Sequence, residues 1–129
     1  QVVADRLLAA PVDSTPTRFY LKGIQAFGQT SARGMAVDCI LRLLKTRLGE
    51  DQAFLTQIAL CNWTLLENKE LGTLFLDKLI DADLSGQLFQ TLVADMMFIP
   101  EFRASLMTLF RAESRSDKLA VAVGQLFKN

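Results

Sequence analysis

The sequence contains no histidine and only two cysteines, Cys39 and Cys61. Without imidazole, the Ser-His-Asp and Cys-His catalytic arrangements and the histidine-bearing classes of zinc site are excluded. The two cysteines form no Cys-x-x-Cys motif, which argues against thiol–disulfide exchange as the activity. We expect both to be free thiols that pack as small apolar residues. So few cysteines are typical of a reducing compartment, and we predict a cytoplasmic protein.

The 129 residues also lack a long apolar run and a net charge. The longest uncharged stretch, Gln52–Leu66, is shorter than the roughly 20 mostly apolar residues that a membrane-spanning helix needs. Fourteen basic residues balance fourteen acidic ones, which excludes a simple basic nucleic-acid binder. Because 50% of the residues are apolar, a disordered tail is excluded as well. We expect one soluble domain over residues 1–129, and the start at Gln1 leaves open that it is excised from a longer chain.

Apolar residues recur with helical spacing along the chain, and no segment alternates as a strand would. The expected helices cover about 2–10, 16–28, 31–48, 51–66, 70–81, 83–99, 100–111 and 116–128. Thr15, Ser31 and Ser116 are expected to cap helices, Glu50 and Asp51 to begin the fourth helix with negative charge, and Gly49 to end the third helix with a left-handed residue. The sequence therefore predicts an all-α fold, a compact antiparallel bundle of seven or eight helices. An irregular HEAT-like helical array is the alternative.

The fourth predicted helix is expected to be the central and most buried one. Its stretch Gln52–Leu66 carries no charge and is apolar nearly all round. The third and fourth helices are expected to form an antiparallel hairpin that turns near Gly49. Cys39 and Cys61 would then lie at one level of it, too far apart for a disulfide because neighbouring helix axes are about 8–10 Å apart.

Charge is distributed unevenly along the chain. Residues 1–49 carry seven basic and three acidic side chains, residues 50–101 carry two and nine, and residues 102–129 carry five and two. We expect the acidic middle to lie on the surface, because buried charges carry a large desolvation cost. Its main members are Glu67, Glu70, Asp77, Asp81, Asp83 and Asp95. Such a charge pattern can steer a protein partner.

The sequence offers little for catalysis, cofactors or metals. Asp81 and Asp83 begin a pattern of oxygen ligands, but Leu92 stands where an EF-hand loop needs its bidentate glutamate. No glycine-rich phosphate loop and no Gly-x-Ser-x-Gly motif is present. We therefore predict a non-enzymatic protein with no cofactor and no metal.

The leading hypothesis is an α-helical protein–protein interaction module: an adaptor, chaperone, regulator or scaffold piece that can hold a partner helix in a groove. The candidate partner-binding residues are large side chains that fall off the main apolar stripes. They are Tyr20, Trp63, Met97 and Phe98. The segment Met96–Ile99 is the most informative, because no single helix face can bury four consecutive apolar residues. Burial between the sixth and seventh helices is the alternative for this segment.

The second functional hypothesis is a nucleic-acid-associated regulator that uses the basic residues of the third and seventh helices. These residues are Arg33, Arg42, Lys45 and Arg47 on the third helix, and Arg103, Arg111 and Arg115 on the seventh. The aromatic residues near them fall on the apolar stripes and form no stacking platform beside the charges. The acidic middle of the chain would also repel a polyanion. Nucleic acid is therefore the weaker of the two expectations.

Overall fold

A computed structural model describes residues 2–29, 33–82, 86–111 and 116–128, and within these ranges the chain forms α-helices and no strand. The eight helices are α1 (Val2–Ala9), α2 (Thr17–Gln25), α3 (Arg33–Leu44), α4 (Gln52–Cys61), α5 (Lys69–Ala82), α6 (Gln87–Met97), α7 (Pro100–Arg111) and α8 (Asp117–Lys128). Three short 3₁₀ segments follow α2, α3 and α4, at Ala26–Gln29, Arg47–Glu50 and Trp63–Glu67. The predicted all-α multi-helix bundle is confirmed.

Helix α5 occupies the centre of the bundle. It packs against α3, α4, α6, α7 and α8 and against the 3₁₀ segments on either side of α4. Its residues Leu71, Phe75, Leu76 and Leu79 are fully buried. Contacts that reach so far along the chain differ from a HEAT-like array, in which each repeat contacts only its neighbours. The prediction that the fourth helix is central is wrong, since α4 ends in an exposed Leu60 and an exposed Cys61.

The third and fourth helices are shorter than predicted because 3₁₀ segments replace their last turns. After α3, the Thr46 hydroxyl accepts a hydrogen bond from the Leu48 N–H at 3.2 Å and starts the segment Arg47–Glu50. After α4, Asn62 leaves the helical conformation, and its Nδ2 donates to the Ile24 carbonyl at 2.8 Å. The continuous helix expected over Gln52–Leu66 is therefore divided in two.

The expected N-caps meet different outcomes. Ser116 accepts from the Leu119 N–H at 3.1 Å, so this cap is confirmed. Asp51, which was expected to begin the fourth helix, accepts from the Phe54 N–H at 3.1 Å and caps α4. Thr15 does not cap α2, because its hydroxyl donates to the Pro11 carbonyl at 2.7 Å. The predicted cap Ser31 lies outside the described residues.

The hairpin expected for the third and fourth helices is wrong, although both thiols are free as predicted. Helix α3 packs mainly on α1 and α5, whereas α4 packs mainly on α2 and α5. The segment Arg47–Glu50 inserts between them and packs on α5, so the chain does not fold straight back after α3. Consequently Cys39 is buried, while Cys61 is exposed and not the core residue that we expected.

The charged side chains of the described residues all lie at least partly exposed, because Asn62 is the only polar or charged residue among them that is buried. The surface position predicted for the acidic middle is confirmed for its described members, and Asp83 lies outside them. Two ion pairs connect acidic and basic parts of the chain: Lys118 with Asp81 at 2.6 Å, and Arg33 with Glu67 at 3.7 Å.

Helix α8 makes its polar contacts at its first turn, and Ala122, Val123 and Leu126 pack against the core further along the helix. Among its described side chains Leu119 alone is fully buried. The Ser116 hydroxyl donates to Asp77 at 2.6 Å, and Lys118 pairs with Asp81, so two polar contacts fix the start of α8 to α5. The helix packs on α5 and α7 and leaves Val121 exposed.

Arg47 joins two parts of the chain that are distant in sequence. Its half-buried guanidinium donates to the Val12 carbonyl at 3.0 Å, to the Thr15 carbonyl at 2.6 Å and to the Thr17 hydroxyl at 3.1 Å. The Thr17 hydroxyl in turn donates to Asp51 Oδ2 at 3.2 Å. Arg47 therefore fixes the loop between α1 and α2 to the end of α3.

The substitution Arg47→Met should destabilise the protein by about 2 kcal/mol. Methionine keeps an apolar stem but removes three charge-assisted hydrogen bonds, and because the site is only half-buried, water partly replaces the bonds that its partners lose. Chemical denaturation measures the difference. The matched control Arg111→Met changes an exposed arginine and should stay within about 0.5 kcal/mol of the parent protein. Equal effects of the two substitutions would contradict the role given to Arg47.

Gly72 is required where α5 passes the preceding segment. A Cβ at Gly72 would lie 2.6 Å from the Leu66 carbonyl oxygen and 2.6 Å from Leu109 Cδ1. Since a backbone oxygen cannot rotate away, Gly72→Ala should destabilise the protein by about 1–3 kcal/mol. Gly124 in α8 has nothing within 4 Å of such a Cβ. Gly124→Ala should therefore stabilise by about 0.5–1 kcal/mol through the lower backbone entropy of alanine. Thermal unfolding of both variants tests the contrast, and two shifts of the same sign would refute it.

Candidate functional site

The four candidate partner-binding residues do not share one surface. Tyr20 is fully buried and packs edge-on against Phe19 at 5.3 Å between ring centroids, so its prediction as a contact residue is wrong. Trp63 is half-buried and lies 5.9 Å from the ring of Phe102. Met97 is half-buried as well, whereas Phe98 is 79% exposed. Phe98 is therefore the candidate that the structure leaves available for a partner.

The tight connection between α6 and α7 explains why Phe98 points outwards. The Phe98 N–H donates to the Asp95 carbonyl at 3.2 Å and the Ile99 N–H donates to the Met96 carbonyl at 3.1 Å. Arg103 Nε donates to the Met97 carbonyl at 2.8 Å and fixes the connection from the side of α7. In this geometry Met96 is buried and Ile99 is half-buried, and Phe98 has no place in the core.

A pocket lies where the C-terminal ends of α4 and α6 meet, and Ile99, the residue after Phe98, is part of its lining. It has a volume of about 170 Å³ and is lined by Ala59, Leu60, Leu92, Asp95, Met96 and Ile99. Leu60 is 59% exposed and forms one wall. We call these six lining residues together with Phe98 the Leu60–Phe98 surface. Leu60 and Phe98 are large exposed apolar side chains, one in the wall of the pocket and one next in sequence to its lining residue Ile99, which makes this surface the candidate site for a protein partner.

Sequence reasoning missed Leu60, although a signal for it exists. Asn62 interrupts the uncharged stretch two residues later, and asparagine commonly ends helices. An earlier end to α4 would have placed Leu60 and Cys61 in a terminal turn with few neighbours. The periodicity of the apolar residues continues through Asn62, which is why the stretch reads as one helix.

The Leu60–Phe98 surface carries little charge. Asp95 is the only charged residue in the pocket lining, and its side chain is exposed at the rim. Cys61 lies next to Leu60, and its Sγ accepts a hydrogen bond from Gln57 Nε2 at 3.4 Å. The surface therefore suits an apolar side chain, with a basic group of the partner near Asp95.

The basic residues considered for nucleic acid are largely engaged within the protein. Arg47 is held by three hydrogen bonds, Arg33 pairs with Glu67, and Arg42 pairs with Asp38 at 3.1 Å. Helices α3 and α7 are not closely packed against each other, since α7 packs mainly on α6 and on the segment Trp63–Glu67. The two basic helices therefore do not combine into one surface, and Arg115 lies outside the described residues.

Within the described ranges, no three acidic or cysteine side chains come close enough together to hold a metal ion. No helix of the described residues is long and apolar enough to cross a membrane.

The family model described as "Protein of unknown function (DUF3549)" matches residues 3–127 of this chain. The match covers nearly all of the sequence and includes every residue of the Leu60–Phe98 surface. Comparisons with curated proteins and with solved structures gave no significant match.

The two cysteines should differ sharply in reactivity. Burial and, to a smaller extent, the negative charge of Asp38 raise the pKa of the Cys39 thiol from 9.0 to about 11, and Arg42 opposes this shift. Iodoacetamide should therefore label Cys61 in the folded protein and leave Cys39 unmodified, as mass spectrometry of the digest would show. The variant Cys61→Ser should not be labelled until it is unfolded. Labelling of Cys39 at the same rate as Cys61 would contradict the structure.

The raised pKa of Cys39 also predicts a pH dependence of stability. Above the ordinary thiol value of 9.0 the unfolded chain ionises at Cys39 while the folded protein does not. The stabilising contribution is therefore complete below pH 9 and is lost as the pH rises towards 11. Denaturation at several pH values should show this decrease, and Cys39→Ala should reduce its slope. An unchanged slope in that variant would exclude Cys39 as the cause.

Proposed function

We propose that this chain, which belongs to the DUF3549 family, is a non-enzymatic α-helical module that binds another protein through the Leu60–Phe98 surface. The observation that carries the proposal is the 79% exposure of Phe98, which directly precedes Ile99 in the lining of an apolar pocket. Large aromatic side chains are enriched among the few residues that dominate the energy of protein interfaces. Covering a phenylalanine that is otherwise in water contributes about 1.5–3 kcal/mol.

The shape of the surface indicates how a partner would bind. The pocket between α4 and α6 holds about one apolar side chain, and Phe98 can lie against the apolar face of the segment that carries it. An amphipathic helix presents apolar residues three or four positions apart and meets both features. A lysine or arginine on the polar edge of that helix would face Asp95. The roles of adaptor, chaperone, regulator and scaffold piece all use such a contact.

The same geometry makes the nucleic-acid alternative the weaker proposal. Phosphate binding needs several cations that are free to leave water and contact the backbone. Arg33, Arg42 and Arg47 already have partners within the protein.

The absence of histidine from the sequence supports the non-enzymatic part of the proposal, because imidazole is the commonest general acid and base.

Site-specific photo-crosslinking tests the proposal directly. With p-benzoylphenylalanine in place of Phe98, we expect a discrete adduct with one protein from the native host. The same crosslinker in place of Val121, which is 64% exposed on α8, should not form this adduct. Adding Leu60→Asp to the variant at position 98 should reduce the adduct about tenfold or more, because it places a charge in the pocket wall.

The folded state must be intact for this comparison to count. Phe98→Ser changes an exposed side chain and should alter the free energy of unfolding by less than about 0.5 kcal/mol. By contrast Phe102→Ala, at a fully buried position, should cost about 3–5 kcal/mol. Identical adducts from positions 98 and 121, or an adduct insensitive to Leu60→Asp, would overturn the proposed binding surface.

A further inference from the structure

A second concave site lies where α1 meets α2, and none of its lining residues belongs to the Leu60–Phe98 surface. The two helices approach closely at one point, because a Cβ on Gly23 would lie 2.4 Å from a methyl carbon of Leu7. Beside this contact a groove of about 250 Å³ opens to solvent. It is lined by Arg6 and Leu7 of α1, by Phe19, Lys22 and Gly23 of α2, and by Ala26 of the following 3₁₀ segment.

The groove combines an apolar floor with two cations. Leu7 is buried, Phe19 is half-buried, and Ala26 offers only a methyl group, so the floor can hold an apolar group. The side chains of Arg6 and Lys22 stand exposed at the rim. Neither forms an ion pair with a carboxylate of the described residues. No acidic residue of the described ranges contributes to the lining.

The volume limits the size of the apolar group. Pockets for drug-sized ligands measure about 300–1,000 Å³ and enclose most of the molecule. A groove of about 250 Å³ that is open on one side suits one side chain of a peptide better than a complete small molecule. Two unpaired cations at its rim favour a carboxylate next to that side chain.

We propose that the groove between α1 and α2 binds an acidic peptide segment of a partner, with one apolar side chain on Leu7 and Phe19 and a neighbouring carboxylate at Arg6 and Lys22. This site is separate from the Leu60–Phe98 surface and does not depend on the function proposed for it. It would give the protein two attachment points, one selective for apolar and one for acidic-apolar segments.

Nuclear magnetic resonance titration with small probes tests the chemistry of the groove. N-acetylphenylalanine carries both an apolar ring and a carboxylate, whereas N-acetylphenylalaninamide lacks the charge. We expect the acid to shift the amide resonances of Gly23 and Ala26 and the methyl resonances of Leu7. The neutral amide should bind about three- to tenfold more weakly, as expected for two exposed charge contacts. Equal binding of acid and amide would overturn the proposal.

Variants distinguish binding in the groove from a nonspecific effect of the protein's net charge. Ala26→Leu fills the groove from an exposed position and should abolish the shifts without loss of stability. Arg6→Gln combined with Lys22→Gln should weaken binding of the acid to the level of the amide. The control pair Lys45→Gln and Arg111→Gln removes the same charge from exposed positions elsewhere and should leave binding unchanged. Phe98→Ser should not change binding of the acid to the groove. A failure of the groove proposal can therefore be distinguished from a failure of the proposal for the Leu60–Phe98 surface.

A fatty acid also combines an apolar chain with a carboxylate and could bind the same groove. Comparing the binding of hexanoate and decanoate distinguishes a fatty-acid site from a peptide site. Each methylene that is buried in a binding site strengthens binding about fourfold. A groove that holds one side chain should bind the two carboxylates within about fivefold of each other. A gain of more than about a hundredfold for decanoate would show a fatty-acid site and overturn the peptide proposal.

Discussion

The hydrogen bond from the Asn62 side chain to the Ile24 carbonyl fixes the course of the chain through the middle of the molecule. Asn62 is the one buried polar residue of the described chain, and its Nδ2 reaches the end of α2 at 2.8 Å. An unpaired buried polar group costs about 1–3 kcal/mol. The Asn62 Nδ2 is paired with Ile24, whereas its buried Oδ1 accepts no hydrogen bond from the described residues. The bond ties the residue that follows α4 to the end of α2, and the chain continues through Trp63–Glu67 into α5.

Both the core and the proposed binding surface follow from that course. Once α4 has ended, α5 enters the space at the centre of the bundle and buries Leu71, Phe75 and Leu79 against its neighbours. The last turn of α4 remains at the periphery, with Leu60 beside the end of α6. The same polar residue that organises the core therefore also leaves an apolar side chain in solvent.

Helix positions and several ends could be predicted from the sequence, because prolines and capping side chains act locally. Pro100 begins α7, Asp51 caps α4 and Ser116 caps α8, each through its own backbone or side-chain geometry. The 3₁₀ segments were missed because four residues at three per turn cannot be distinguished by periodicity from a helix at 3.6 per turn. The packing partners of α3 and α4 were missed because they depend on contacts between distant segments, such as those of Arg47 with Val12 and Thr15.

In the candidate site as well, features that depend on neighbouring residues could be predicted from the sequence, whereas features that depend on the packing of distant segments could not. The exposure of Phe98 could be predicted, because one helix face cannot bury four successive apolar residues before a proline. The burial of Tyr20 could not, because it depends on how α4 packs against α2. The groove at Arg6 and Lys22 required the close approach of Gly23 to Leu7, which only the folded chain defines.

The shallow attachment of α8 has a consequence for motion on slow timescales. Only Leu119 of its described side chains is fully buried, and its polar contacts with Asp77 and Asp81 are confined to the first turn. A segment with so little buried apolar area can detach at a free energy well below that of global unfolding. Its amide hydrogens would then exchange with solvent as one group while those of α5 remain protected. Detachment of α8 would also bring the outer faces of α5 and α7 into contact with water.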